Sequence, residues 1–271
     1  MICSKIQFKL NHWPILTFSW FVLTFIVSYV WALCNDHIYP LFPYISDTGA
    51  LSPESCMFGQ MMNIGAVMIT VCHYTRYRQI RFLNDVENST FVHKLNKCGL
   101  YVGAVGCLGI SMVGNFQESQ FLTLHLVGAV MVFCCGSLVL CIQTAITFKL
   151  RSAYIKYPEF GISNKVIYFR VFLTVWIHVL QTSTVVFSIL AFLLYNNTAE
   201  MSFAKYLHWS EEDGGYYFRL VATFSEYGVV LAYLSYLLTM GREFKALEFK
   251  EIHFKSKYLN ETANQENKIV L

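Results

Sequence analysis

Asp47-Thr48-Gly49 is the tripeptide that carries the acid of aspartic proteases. That chemistry needs two carboxylates sharing one proton, and the tripeptide occurs once, with no second half behind it. A structural reading remains. In Pro40-Leu41-Phe42-Pro43-Tyr44-Ile45-Ser46-Asp47-Thr48-Gly49 the prolines restrict φ and Asp-Thr-Gly supplies a turn.

Glu226 stands in a long apolar run, within Thr223-Phe224-Ser225-Glu226-Tyr227-Gly228. An ionised carboxylate is expensive in hydrocarbon, so this side chain must face protein or water. Two readings follow: a lipid-headgroup, ion or proton site, or a hydrogen-bonded carboxyl that fixes helix packing. Its expected partners are Asn63, His125 or Gln181 on neighbouring helices. Glu226 with His125 and His178 would make a ligand set for metal-assisted hydrolysis. No HxxxH or HxxE spacing anchors such a set, and polar contacts between helices explain the same residues. His125 shares a helical face with Gly128, Ala129, Val132 and Gly136, which marks a helix contact. Gln60 and Asn63 read as interhelical hydrogen-bonders or ligand contacts. No catalytic residue, metal site or cofactor is expected.

The elements that must position these groups are membrane helices. Of the 271 residues, 55% are hydrophobic and 14% charged, with a mean hydropathy of +0.45; soluble domains carry about 25% charged residues. Six runs are long enough to cross about 30 Å of hydrocarbon, at roughly 14–34, 56–73, 98–114, 123–148, 167–194 and 216–240. The fold class is therefore all-α: a six-transmembrane-helix bundle over 1–245, followed by a polar cytosolic tail at 246–271. The first run ends in bulky Val30-Trp31 and lacks a small-x-small cleavage site, so it reads as a retained helix. Gly99, Gly103 and Gly106 on the third helix predict close packing.

Basic residues give the orientation. Seventeen of the twenty Lys and Arg fall in the N-terminal segment, in the loops after the second and fourth helices, and in the C-terminal tail. The opposite loops hold Lys205 alone, while Arg170 and Arg219 lie near helix ends where they can snorkel. Both termini are expected in the cytosol. The other side is acidic, with Asp36, Asp47, Glu54, Glu118, Glu200, Glu211, Glu212 and Asp213. Trp13, Trp31 and Trp209 are placed as interfacial aromatics. Without a basic soluble segment interleaved with aromatics, nucleic acid is not an expected partner.

Nine cysteines fall mostly in apolar runs, without CxxC or zinc spacing. Cys34 and Cys56 bracket the first loop and form a candidate disulfide. Of three N-x-S/T sequons, Asn88 and Asn260 lie on the cytosolic side, leaving Asn196 as the candidate glycosylation site. Tyr77-Arg78-Gln79-Ile80 and Tyr157-Pro158-Glu159-Phe160 fit a tyrosine-x-x-bulky sorting pattern, and Glu266 to Leu271 approximates an acidic dileucine signal.

The six-helix plan with Pro43, Tyr44, Ile45, Ser46, Asp47, Thr48 and Gly49 in its first loop resembles the damage-regulated autophagy modulator family. Pro53-Glu54-Ser55-Cys56-Met57-Phe58-Gly59, Tyr74-Thr75-Arg76-Tyr77, Leu95-Asn96-Lys97, Asn115-Phe116-Gln117, His125 with Gly128-Ala129, Leu207-His208-Trp209 and Glu226 extend the likeness from about residue 15 to 245. The resemblance implies a non-enzymatic, multi-pass protein of the lysosomal membrane, with late endosome and plasma membrane as alternatives. It implies promotion of autophagy through partner recruitment or local lipid effects, and with it the neighbouring biology of apoptosis. Membrane lipids and cytosolic or membrane autophagy proteins are the implied partners, and broader relatives connect to lipid metabolism and phosphoinositide signalling. Two rival readings stand beside it: a lipid or ion transport protein centred on Glu226, and a membrane lipid hydrolase. Oligomeric state is not written in the sequence.

Overall fold

The computed structural model describes residues 9–160, 162–196 and 201–247. Asn260, Thr198, Glu200, Cys3, Lys5 and the dileucine-like end lie outside them. No strand occurs among the described residues, and six helices are long and apolar enough to span a bilayer. They are α1 (Trp13–Cys34), α2 (Glu54–Glu87), α3 (Thr90–Asn115), α4 (Glu118–Lys149), α5 (Asn164–Leu193) and α6 (Tyr216–Thr239). With an even number of spans both described ends lie on one face, where the Leu10–His12 turn packs on the short helix Gly241–Phe244. We call this the terminal face; the first loop lies at the opposite one.

The sequence patterning is that of a bundle sorted by size and hydrogen bonding rather than by hydropathy alone. On α1 the buried stripe is Pro14, Thr17, Phe21, Thr24, Ser28 and Ala32, at spacings of three and four. Leu23, Ile26 and Val30 face outward. In a bilayer apolar side chains gain little from leaving lipid, so small and hydroxyl-bearing residues make the contacts. Thr17 and Thr24 return their hydroxyls to carbonyls one turn back, Trp13 and Trp20, at 2.9 and 2.8 Å. The Trp13 and Trp20 indoles each donate to α2 carbonyls, Met68 and Met61, at 2.8 Å.

Glycine sets the closest crossings of α3. A Cβ on Gly59 of α2 would stand 2.5 Å from the Gly114 carbonyl oxygen, and one on Gly109 would stand 2.7 Å from that of Gly128 on α4. Gly99, Gly103 and Gly106 are buried too, against Ile142, the His73 ring and Cys135. Helix α4 carries a π-helical turn at Met131–Cys135. Helix α5 is the outermost: it exposes Val175, Trp176, Val179, Val186 and Ile189.

Two sequence expectations, on the end of the second helix and on Trp209, differ from the structure. Helix α2 does not end with its apolar run at 73 but continues to Glu87, and α3 begins at Thr90, so most of the charged stretch 74–97 is helix and not loop. Arg76 is wholly buried inside that extension. Trp209 is not an interfacial aromatic: it is 3% exposed, packed against Tyr195 and Tyr206. Both tyrosine-based sorting patterns bury their bulky residue, Ile80 and Phe160, in the same apolar cluster, so neither stands free for an adaptor.

Candidate functional site

Two buried polar centres and the space between them form the interior. The first is built by the loop after α1, folded back into the bundle. The Tyr44 amide donates to Asp47 Oδ2 at 2.9 Å, Thr48 Oγ1 donates to the Ile45 carbonyl at 2.7 Å, and a short 3-10 turn closes over Asp47–Gly49. Asp-Thr-Gly is thus a turn, as its local chemistry requires, but it is buried: Asp47 is 1% and Thr48 0% exposed. Four other elements hold it. Ser28 of α1 meets the Thr48 hydroxyl at 2.8 Å, Ser188 of α5 meets the Tyr44 hydroxyl at 2.7 Å, and Ser119 of α4 donates to the Ala50 carbonyl at 2.6 Å. From α6, Arg219 Nη2 donates to Asp47 Oδ2 at 2.6 Å.

Arg219 does not snorkel. Its guanidinium carbon lies 5.0, 4.5 and 5.1 Å from the ring centres of Tyr44, Tyr206 and Trp209. Aromatic faces replace water around the planar cation. Burial pushes the Tyr44 phenol up to about 12 and raises that of Tyr206, so both stay protonated beside the ion pair. Ser46 Oγ of the loop donates to Glu118 Oε2 of α4 at 3.5 Å.

Glu226 sits deeper on the same helix. It faces protein, 9% exposed, and its Oε2 accepts the Ile45 amide at 2.9 Å. The side-chain partners expected for it do not supply this contact. Asn63 exchanges hydrogen bonds with Asn115, at 3.1 and 2.9 Å, and His125 Nδ1 meets the Phe116 carbonyl at 2.8 Å. The Gln181 side-chain oxygen is buried without a partner. His178 is exposed and hydrogen-bonds the Thr174 carbonyl of its own helix at 2.6 Å; Gln60 is exposed too. His125, His178 and Glu226 are therefore not brought together, and among the described residues no group of three or more His, Cys, Asp or Glu is placed to hold a metal ion. Cys34 and Cys56 are both free, so the candidate disulfide is not formed. Asn196 Nδ2, the atom a glycan would take, donates to the Glu212 carbonyl at 3.1 Å.

The second centre is not visible in the sequence pattern, which puts Arg76 in a loop and Arg170 at a snorkelling position and gives Glu243 no role. All three are 0% exposed at the terminal face. Glu243 takes Arg76 on one carboxylate oxygen and Arg170 on the other. Gln143 and Thr147 of α4, Tyr154 and Thr239 accept from the remaining N–H groups of the two guanidinium groups. Burial raises the Tyr154 phenol, which remains a hydrogen-bond donor to Glu243 at 3.1 Å. A charged residue just past an apolar run, with an opposite charge just past another, was the available signal.

Between the centres lies a cavity of about 130 Å³ enclosed mainly by α2, α3, α4 and α6. Phe21, Met62, Cys107, Ile110 and Phe133 give it apolar walls. Ser46, His125 and Glu226 stand at the first-loop end, and His73, hydrogen-bonded to the Tyr233 hydroxyl at 2.9 Å, at the other. Beside it a lateral groove of about 430 Å³ opens between α1 and α6 beneath Pro40–Pro43. Phe42 lies over this groove with φ of 46°, a left-handed backbone unusual for a bulky residue, and its ring sits 3.9 Å from that of Phe224. Phe25, Val230 and Leu234 line both spaces.

A six-helix membrane bundle with its first loop locked inside by Asp47, Arg219 and Glu226 defines the class: a multi-pass membrane protein with a buried polar loop. The chain belongs to the Frag1/DRAM/Sfk1/Cwh43p family, whose N-terminal domain model matches residues 10–247. It is 36% identical to DNA damage-regulated autophagy modulator protein 2 of Bos taurus over 244 residues, covering 90% of this chain and 87% of that protein. The Homo sapiens protein of that name is 34% identical over the same span, and Homo sapiens DNA damage-regulated autophagy modulator protein 1 is 30% identical over 238 residues, 88% of this chain and 92% of that protein. No solved structure matches the chain.

Proposed function

We propose that this chain is a non-enzymatic membrane protein of the lysosome or late endosome that promotes autophagy, with both termini in the cytosol. The observation that carries the reading is likeness over 90% of the chain to proteins named for modulating autophagy. The basic residues collected on the terminal face support the orientation, because segments rich in Lys and Arg stay in the cytosol. The chain would act by recruiting partners there or by changing the local lipid environment.

Cells depleted of the protein and re-expressing it test this directly. The expected result is co-localisation with a lysosomal marker and restored turnover of an autophagosome marker that lysosomal inhibitors block. Unchanged turnover with the protein correctly placed would refute the reading. A second reading, transport of a lipid or ion past Glu226, is favoured by the cavity. Substrate flux in liposomes carrying the purified protein, lost with Glu226→Gln, would support it.

A further inference from the structure

We infer that the cavity and its lateral groove are one binding site, entered from the bilayer between α1 and α6, for a single-chain amphiphile whose small head donates hydrogen bonds, such as a long-chain amine. This deepens the lipid-linked arm of the function proposed above and rests on the chain being embedded in a membrane.

Location selects the occupant. The groove is walled by Val22, Ile26, Tyr227 and Leu231 on two membrane-spanning helices, and Leu23, Ile26, Val30 and Leu231 around it are exposed on that surface. What reaches such a mouth is lipid, not a water-borne solute. Size selects one chain. A dry cavity of about 150 Å³ takes a benzene, so spaces of about 130 and 430 Å³ together take a molecule of roughly twenty heavy atoms. A two-chain phospholipid exceeds that.

Chemistry selects the head. Glu226 lines the cavity and spends Oε2 on the Ile45 amide; among the described residues no protein group donates to its Oε1. That oxygen is a free acceptor in an apolar chamber, and a head that donates to it completes its hydrogen bonding. A carboxylate head would be repelled by the same group. The tail leaves past Phe25, Val230 and Leu234, which the two spaces share.

The test uses the full-length protein in phosphatidylcholine nanodiscs and a photoreactive long-chain amine, with adducts mapped by mass spectrometry. Labelling is expected on Phe25, Val230 and their neighbours, competed by unlabelled long-chain amine, less by the matching alcohol, and not by the fatty acid. Glu226→Gln should weaken the amine by about tenfold or more, the share of a charge-assisted hydrogen bond. Val230→Trp, which leaves the Glu226–Ile45 contact in place, should abolish labelling in the groove if Glu226→Gln proves unstable. Label spread over the outer face of α5, at Trp176 and Val179, or equal competition by the fatty acid, overturns the inference. Binding intact with autophagy unaffected by the protein would overturn only the proposed function. Absence of amine labelling on a protein that still restores autophagy would overturn only this site.

Discussion

Glu243→Gln is the sharpest perturbation of this fold, because the side chain keeps its shape and loses only its charge. In the native bundle one carboxylate lies between two guanidinium groups, all three 0% exposed. Removing the charge leaves Arg76 and Arg170 buried without compensation and repelling one another. Breaking a buried ion pair from one side costs about 3–5 kcal/mol, a large part of the roughly 5–15 kcal/mol that holds a domain together. For a chain of this size the melting temperature should fall by about 10 °C, read by size-exclusion chromatography of heated samples in detergent. Arg170→Met is the companion measurement. It leaves one guanidinium with one carboxylate, although it also removes the stacking of Arg170 on Tyr236, and should cost about half as much. If Glu243→Gln costs under about 1 kcal/mol, or if Arg170→Met is the more damaging of the two, charge compensation is not what organises the terminal face.

Gly59→Ala should cost about 1–3 kcal/mol through overpacking against the Gly114 carbonyl, whereas Gly136→Ala, whose new methyl would meet nothing nearer than 3.6 Å, should leave the melting temperature unchanged; equal effects would remove close approach as the explanation. Epitope tags at the two ends should be digested together by protease added to intact cells' exposed organelles, with their lumens sealed; protection of one tag alone would refute the shared cytosolic placement.

Hydropathy marks the six spans because the requirement it reports is local: each stretch of backbone in hydrocarbon must satisfy its own hydrogen bonds. The same reasoning identified the Pro-Tyr-Ile-Ser-Asp-Thr-Gly loop as structured and Glu226 as inward-facing. Its expected partners for Glu226, the side chains of Asn63, His125 and Gln181, are not the ones the structure uses. The carboxylate of Glu226 is met by a backbone amide of the first loop, 181 residues away, and a main-chain donor leaves no mark in residue type. Arg76, Arg170 and Arg219 were read as surface charges because snorkelling and burial produce the same sequence pattern near a helix end. Only the tertiary neighbours Glu243 and Asp47, at separations of 167, 73 and 172 residues, decide between them.

The loop between the first two helices depends on the last. Its Ile45 amide and Asp47 carboxylate are satisfied by Glu226 and Arg219 of α6 and its Tyr44 hydroxyl by Ser188 of α5. During synthesis the loop therefore emerges long before the groups that complete it. A chain stopped after five helices would carry Asp47 without its cation and the Ile45 amide without its acceptor. The final helix is in this sense the closing stitch of biogenesis, and quality control could recognise an unfinished molecule by a loop made near its beginning.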